Sequence, residues 1–243
     1  CSECKEWNTI TEVRLGVTTP GKSARYTGYA GAVGSQVQTL AEIATTEIPR
    51  FSSGFKELDR VLGGGVVPGS AILIGGNPGA GKSTLLLQTM CGLAQRMKTL
   101  YVTGEESLQQ VAMRAGRLGL PTDKLRMLSE TSVEQICLIA QQEQPQIMVI
   151  DSIQVMHVAD VQSAPGSVSQ VRESAALLTR YAKQNHVAIF MVGHVTKDGT
   201  LAGPKVLEHC IDCSVLLDGG HDSRFRTLRS HKNRLGAVNA LGV

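Results

Sequence analysis

The chain has 243 residues, about 1.6 times a typical domain, so one large domain with an appendage is expected. Its 24 Lys and Arg against 21 Asp and Glu leave a formal charge of +3, too small for a generically basic coat on nucleic acid. Hydrophobic residues at 42% with 19% charged exclude a disordered chain, and aromatics at 4% leave the core to Leu, Ile, Val, Ala and Met.

No apolar run approaches the roughly 18 residues a membrane helix needs, and the start carries no basic-then-apolar leader pattern. Beginning at Cys1 and stopping at Gly242-Val243, the chain reads as a fragment. With no leader, its six cysteines are expected as thiols in a reducing cytoplasm rather than as a disulfide framework.

Residues 1–15 open on Cys1-Ser-Glu-Cys4 and Trp7-Asn8, and residues 16–48, rich in Gly, Thr and Ser and without sustained apolar period, read as a linker. A main domain is expected over 49–243. Phe55, Leu58, Val61 and Leu62 share a helical face, with Ser52 or Ser53 as cap and Gly63-Gly64-Gly65 as stop. From residue 70 short apolar strands alternate with helices. Strands are expected at 71–74, 99–103, 147–150, 187–192 and 211–217, and helices at 82–97, 108–118, 133–143 and 168–184. An edge strand or hairpin follows at 225–230. Leu85, Leu86, Thr89 and Leu93 form the inward face of the first of these helices, and Cys91 and Cys137 fall inside apolar helical patterns as buried thiols. Fully apolar strands alternating with helices predict an α/β fold, a mostly parallel sheet with helices on both faces.

Between the first strand and the helix at 82 stands Gly76-Asn77-Pro78-Gly79-Ala80-Gly81-Lys82-Ser83, followed by Thr84. This is the phosphate loop of nucleoside-triphosphate enzymes in its required strand–loop–helix setting. The glycines let backbone N–H groups converge on a phosphate at a helix N-terminus. Lys82 is expected to reach the β- and γ-phosphates of ATP, and Ser83 to place its hydroxyl on Mg²⁺. Four apolar residues ending in Asp151 place a carboxylate at the carboxyl end of a strand, where it holds the Mg²⁺ water shell. Gly104-Glu105-Glu106-Ser107 sets two carboxylates past another strand end; Glu105 is preferred as the base for the attacking water, with Glu106 as neighbour or alternate. His194, after the strand at 187–192, stands where a residue can feel the γ-phosphate.

The phosphate loop, Val102-Thr103-Gly104-Glu105-Glu106-Ser107, the Asp151 strand and Lys232-Asn233-Arg234-Leu235-Gly236 together resemble the bacterial RadA (Sms) family of RecA-like P-loop ATPases, over essentially the whole chain. The resemblance implies a ring, hexameric in the manner of replicative helicases, that acts in homologous recombination and DNA repair. It implies ATP-driven unwinding and branch migration on single-stranded DNA and branched recombination intermediates, beside the recombinase RecA. It implies that Lys232 and Arg234 act across a subunit boundary, where charge supplied in trans is worth roughly 10³–10⁵ in rate. The family reads Lys-Asn-Arg-Phe-Gly at that motif; here the fourth residue is Leu235. It further implies that the loops at 157–167 and 196–205 touch DNA, with Lys197 and Lys205 on phosphates and Arg172 at the start of the next helix. Few aromatics lie there, so base stacking cannot dominate.

The family also opens on a four-cysteine zinc module. Cys1 and Cys4 match its second pair, half of a Zn²⁺ site that is complete only in the intact protein. Cys210 and Cys213 do not supply the other half, because strand alternation sends them to opposite faces. The Lon-protease-like domain that follows the family's ATPase core is not encoded in these residues. Three rival readings stay open: a KaiC-like signalling ring that ignores DNA, a small-molecule P-loop kinase, and an ATP-gated binding module with incidental hydrolysis.

Overall fold

A computed structural model describes residues 37–43, 49–194, 204–219, 225–236 and 241–242. Strands β1 (Ala71–Gly76), β2 (Thr99–Thr103), β3 (Arg126–Ser129), β4 (Ile147–Asp151), β5 (Ala188–His194), β6 (Cys213–Asp218), β7 (Thr227–Asn233) and β8 (Leu241–Gly242) form one sheet in the order β3-β2-β4-β5-β1-β6-β7-β8. The first six of that order are parallel, and β7 and β8 close the sheet antiparallel. The α/β expectation holds.

Every residue of β1, β2 and β4 is buried, as a parallel strand covered on both faces requires. Alternate side chains feed two cores. Ile72 and Ile74, Ile147 and Val149, and Phe190 point toward α1 (Lys56–Val61), α2 (Lys82–Ala94) and α3 (Leu108–Arg117). Leu73, Met148, Ile150 and Met191 point toward α4 (Val133–Glu143), α5 (Val168–Asn185) and α6 (Pro204–Leu207). The Ser107, Ser132 and Ser167 hydroxyls each accept the N–H three residues on, which caps α3, α4 and α5.

Several local expectations change. Neither Ser52 nor Ser53 caps α1; Phe55 is the cap position, and the serines instead bind Asp59, through the Ser52 hydroxyl at 2.5 Å and the Ser53 N–H at 2.7 Å. Helix α2 stops at Ala94, before residue 97. The edge strand or hairpin expected over 225–230 is β7, which runs from Thr227 to Asn233 and pairs antiparallel with β6, with β8 rather than β7 at the edge. β3 went unread because its residues are only half-buried and alternate with no apolar run. Residues 196–205 are not all loop: Lys205 lies in α6, which Pro204 opens. Cys210 and Cys213 do belong to opposite cores, and burial pushes their thiols up to about 11 and about 12. Cys91 is fully buried; Cys137 is only partly so, yet burial pushes its thiol up to about 12.

Residues 1–15, with Cys1 and Cys4, most of the linker, and Lys197 lie outside the described residues. Among the described residues no helix is long and apolar enough to cross a membrane.

Candidate nucleotide site

The sheet order decides what meets at the carboxyl ends of the strands. β1 carries the phosphate loop and β4 ends in Asp151, yet they are not neighbours, because β5 runs between them. β5 ends at His194, which is in register with Gly76. The histidine therefore stands between the phosphate loop and the acidic strand.

Gly76 is at φ +155°, and a Cβ there would stand 2.4 Å from the Leu217 carbonyl oxygen, so only glycine lets the loop leave β1 at this point. Gly81, at φ +96°, is the N-cap of α2 and turns the following N–H groups into the loop. The Lys82 ammonium is buried beneath, donating to the Gly76 and Asn77 carbonyls at 2.8 Å each. Burial holds Lys82 below the usual lysine range, opposed by the charges of Asp151 and Glu105. Loop and helix start form one wall of a cleft of about 630 Å³ that Lys82, Ser83, Thr84 and His194 line.

Asp151 is 6% exposed, and its Oδ2 accepts the phenol of Tyr101, wholly buried on β2, at 2.6 Å. Burial pushes the carboxyl above its ordinary value, while hydrogen bonds from Tyr101 and Ser83 pull the other way. Ser83 and Asp151 thus bring a hydroxyl and a carboxylate within reach of each other. Two hard oxygen donors at a phosphate loop fit Mg²⁺, which binds through one or two protein groups and completes its shell with water and phosphate. Among the described residues no group of three or more His, Cys, Asp or Glu could hold a metal by itself.

The structure separates the two glutamates. Glu106 is engaged by Arg114 at 2.5 Å, and its backbone is tied to the Thr103 hydroxyl. Glu105 faces the other way: Oε1 accepts the Ser152 hydroxyl and lies 3.4 Å from His194 Nε2. The hydrogen bond with His194 holds the Glu105 carboxyl below its usual value; burial opposes this, and Ser152 and Lys82 add to it. The His194 carbonyl in turn accepts Gln154 Nε2 at 3.2 Å, which links β5 to the turn after Asp151.

Reading the sequence missed Arg226, just before β7. Its guanidinium donates to the Ala80 carbonyl and lies against Gly81, over the start of α2. Phe55 and Arg114 also line the cleft. No motif marks any of the three; β7 brings Arg226 there by pairing with β6, which lies beside β1.

Lys232 and Arg234 are elsewhere. Ser214 pairs with Lys232, and Cys213, the partner of Asn233, is in register with Ile72 near the amino end of β1. Four residues of strand, about 13 Å, separate that level from Gly76. Lys232 donates to the Glu208 and Ile211 carbonyls, and Arg234 to the His209 carbonyl at 3.2 Å. Neither reaches the phosphate loop of its own chain. Arg50 fastens the same turn, donating to the Leu235 carbonyl and to Leu62 at 3.2 Å. Arg172 on α5 and Lys205 on α6 are exposed.

A sequence-family model described as "AAA domain" matches residues 37–200. The chain is 78% identical over 245 aligned residues to the DNA repair protein RadA of Escherichia coli K12, and 75% identical over 243 to that of Haemophilus influenzae. It is 44% identical over 244 to the DNA repair protein RadA of Bacillus subtilis. Each alignment covers all of this chain and 53% of the relative, so the chain spans about half the length of the curated relatives it matches.

Proposed function

The chain belongs to the AAA domain family, and on that premise we propose that it is the ATPase core, residues 49–243, of a DNA-repair motor. The observation that carries this reading is the convergence of five residues from four strand ends: Lys82, Ser83 and His194 line one cleft, and behind it Asp151 meets Ser83 and Glu105 meets His194.

ATP lies with its phosphates in the loop Gly76-Asn77-Pro78-Gly79-Ala80-Gly81 and on the first turn of α2, against Lys82, Ser83 and Thr84. Ser83 and Asp151 would hold Mg²⁺, which would supply positive charge against the phosphates when bound. Glu105, kept ionised by His194, takes a proton from water as the water oxygen bonds to the γ-phosphorus. The bond from that phosphorus to the β–γ bridging oxygen breaks, and ADP and phosphate leave. His194, the last residue of β5, then passes the change to residues 196–205.

The name that the relatives carry supports DNA as partner, through residues 157–167 and 196–205 with Arg172, Lys197 and Lys205. Lys232 and Arg234, too far from their own chain's phosphate loop, act on a neighbour's site in a ring of six. Recombination intermediates and the recombinase RecA are the corresponding substrates and partner. Cys1 and Cys4 contribute to a zinc site joined to the core by residues 16–48.

The test is phosphate release from ATP with and without single-stranded DNA, at low and moderate salt. We expect DNA to stimulate turnover, the stimulation to fade with salt, and Lys82→Ala to lower it by at least about 10²-fold. Turnover indifferent to DNA would replace the motor with a signalling ATPase.

A further inference from the structure

The opposite end of the sheet holds a second cavity, of about 430 Å³, between the turn after α2, the approach to β3 and the turn after α4. Arg96, Lys98, Lys124 and Arg126 line it, against the single carboxylate of Glu143. For a chain whose whole formal charge is +3, four cations on one cavity are a marked local excess. All four are exposed. Arg126 pairs with Glu143 at 2.8 Å and Arg96 donates to the Ser52 carbonyl, whereas Lys98 and Lys124 make no ion pair among the described residues. Leu100 is in register with Arg126, so Lys98 and Lys124, each two residues earlier, lead into neighbouring strands side by side. Lys98 is further held by its carbonyl, which accepts the Gln146 N–H at 2.9 Å.

The cavity does not end there. Pro145 and Gln146 also line a second hollow of about 290 Å³, where Gln141, Gln144 and Asn185 supply amides and His186 an imidazole. The two hollows adjoin at Pro145 and Gln146, the first at the amino ends of β2 and β3 and the second at those of β4 and β5, as a trough that is cationic on one side and amide-lined on the other. A trough of this form suits a chain of anions rather than one compact ion. The apolar lining at the cationic end is Ala94, Met97 and Pro145, with no aromatic, so it offers neither a stacking platform nor the deep anchor pocket by which peptides dock.

We propose that this trough is a second nucleic-acid contact, gripping the phosphodiester backbone of a strand through Lys98, Lys124 and the two arginines without reading its bases. Lysine and arginine on phosphates give affinity that is indifferent to sequence and steep in salt. The length of β2, four steps or about 13 Å from Thr99 to Thr103, keeps a strand held here out of contact with the nucleotide cleft. The inference goes beyond the motor reading, which places DNA on loops at the other end of the sheet.

The experiment is fluorescence anisotropy of a labelled oligothymidylate with the full 243-residue chain over a salt series, comparing it with the Lys98→Ala/Lys124→Ala double variant. Removing two phosphate contacts should flatten the log–log salt slope by about 1.4 and weaken binding roughly ten-fold or more at low salt. The Lys98→Arg/Lys124→Arg variant should restore both, with DNA-free ATP hydrolysis unchanged in every variant. An unchanged slope overturns the proposal, as does a double variant that only melts at a lower temperature, which would mean that the lysines merely complement helix C-termini. Loss of polyglutamate binding with oligothymidylate binding intact would make the trough an acidic-protein site and overturn it equally. DNA-stimulated turnover with an unaltered slope in the double variant sinks the trough and leaves the motor standing. A flattened slope without stimulation of the wild-type chain does the reverse.

Discussion

The two ends of the parallel sheet use the same residue types for different ends. At the carboxyl end Lys82, Asp151 and Glu105 come together: burial lowers Lys82 and raises Asp151, and the hydrogen bond with His194 lowers Glu105. At the amino end Arg96, Lys98, Lys124 and Arg126 line an open cavity and stay exposed to solvent. The carboxylate buried there, Asp212, is spent on architecture. It accepts the Ala71 N–H at 2.9 Å and both bonds of Lys183 at 2.8 Å, fixing the start of β1 to α5 and β6. The asymmetry follows from the winding. Helix N-termini, with unsatisfied N–H groups, face the carboxyl ends of the strands and favour anions, whereas helix C-termini face the amino ends and favour cations. A buried charge is thus chemistry at one end and scaffold at the other.

Within the carboxyl end, the glutamate pair separates catalysis from support most sharply. Glu105→Gln should lower ATP turnover by about 10²–10⁴-fold while nucleotide binding persists. Glu106→Gln, which removes a pair with Arg114 in partial contact with solvent, should cost at most about 1 kcal/mol in denaturant unfolding and leave most of the activity. Equal losses in both would remove the distinction drawn between them.

Next in size is Asp212→Ala, expected to destabilise the fold by about 3–5 kcal/mol, because it strands Lys183 and the Ala71 N–H. If equilibrium unfolding were untouched while nucleotide binding failed, the amino end would not be scaffold. Tyr101→Phe should be smaller, about 1.5–3 kcal/mol for a hydrogen bond to a charged group. It should appear as a higher Mg²⁺ concentration needed for binding of a fluorescent nucleotide, since Asp151 loses the phenol that orients it.

The smallest effect belongs to His194→Asn. Glu105 works deprotonated, and the hydrogen bond with His194 is the largest influence holding its carboxyl low, ahead of Ser152 and Lys82. In the wild type its ionised form, and the stability that goes with it, persist above the ordinary glutamate range and are lost only as pH falls through the lowered value. Removing the imidazole raises that value. The acidic limb of the pH–rate profile should therefore move to higher pH, and an unmoved limb would detach His194 from Glu105.

The parallel core was legible because burial on both faces makes β1, β2 and β4 continuous apolar runs, and the phosphate loop because only glycine tolerates its backbone. β3 was not legible, since a half-buried edge strand carries no such run. α6 is a single turn, too short for a period. Ser52 and Ser53 look like caps in sequence but are taken by Asp59, one turn into α1.

By itself, then, the sequence determined local chemistry: where a phosphate loop forms, which strand ends in a carboxylate, and that two glutamates follow β2. Tertiary structure alone decided which of those groups meet. Inserting β5 between β1 and β4 brings His194 to Glu105, pairing β7 with β6 lays Arg226 over the phosphate loop, and the register of β6 carries Lys232 and Arg234 to the far end. The reason is physical: strand order and register are set by packing between segments distant in the chain, and no window of sequence contains both partners.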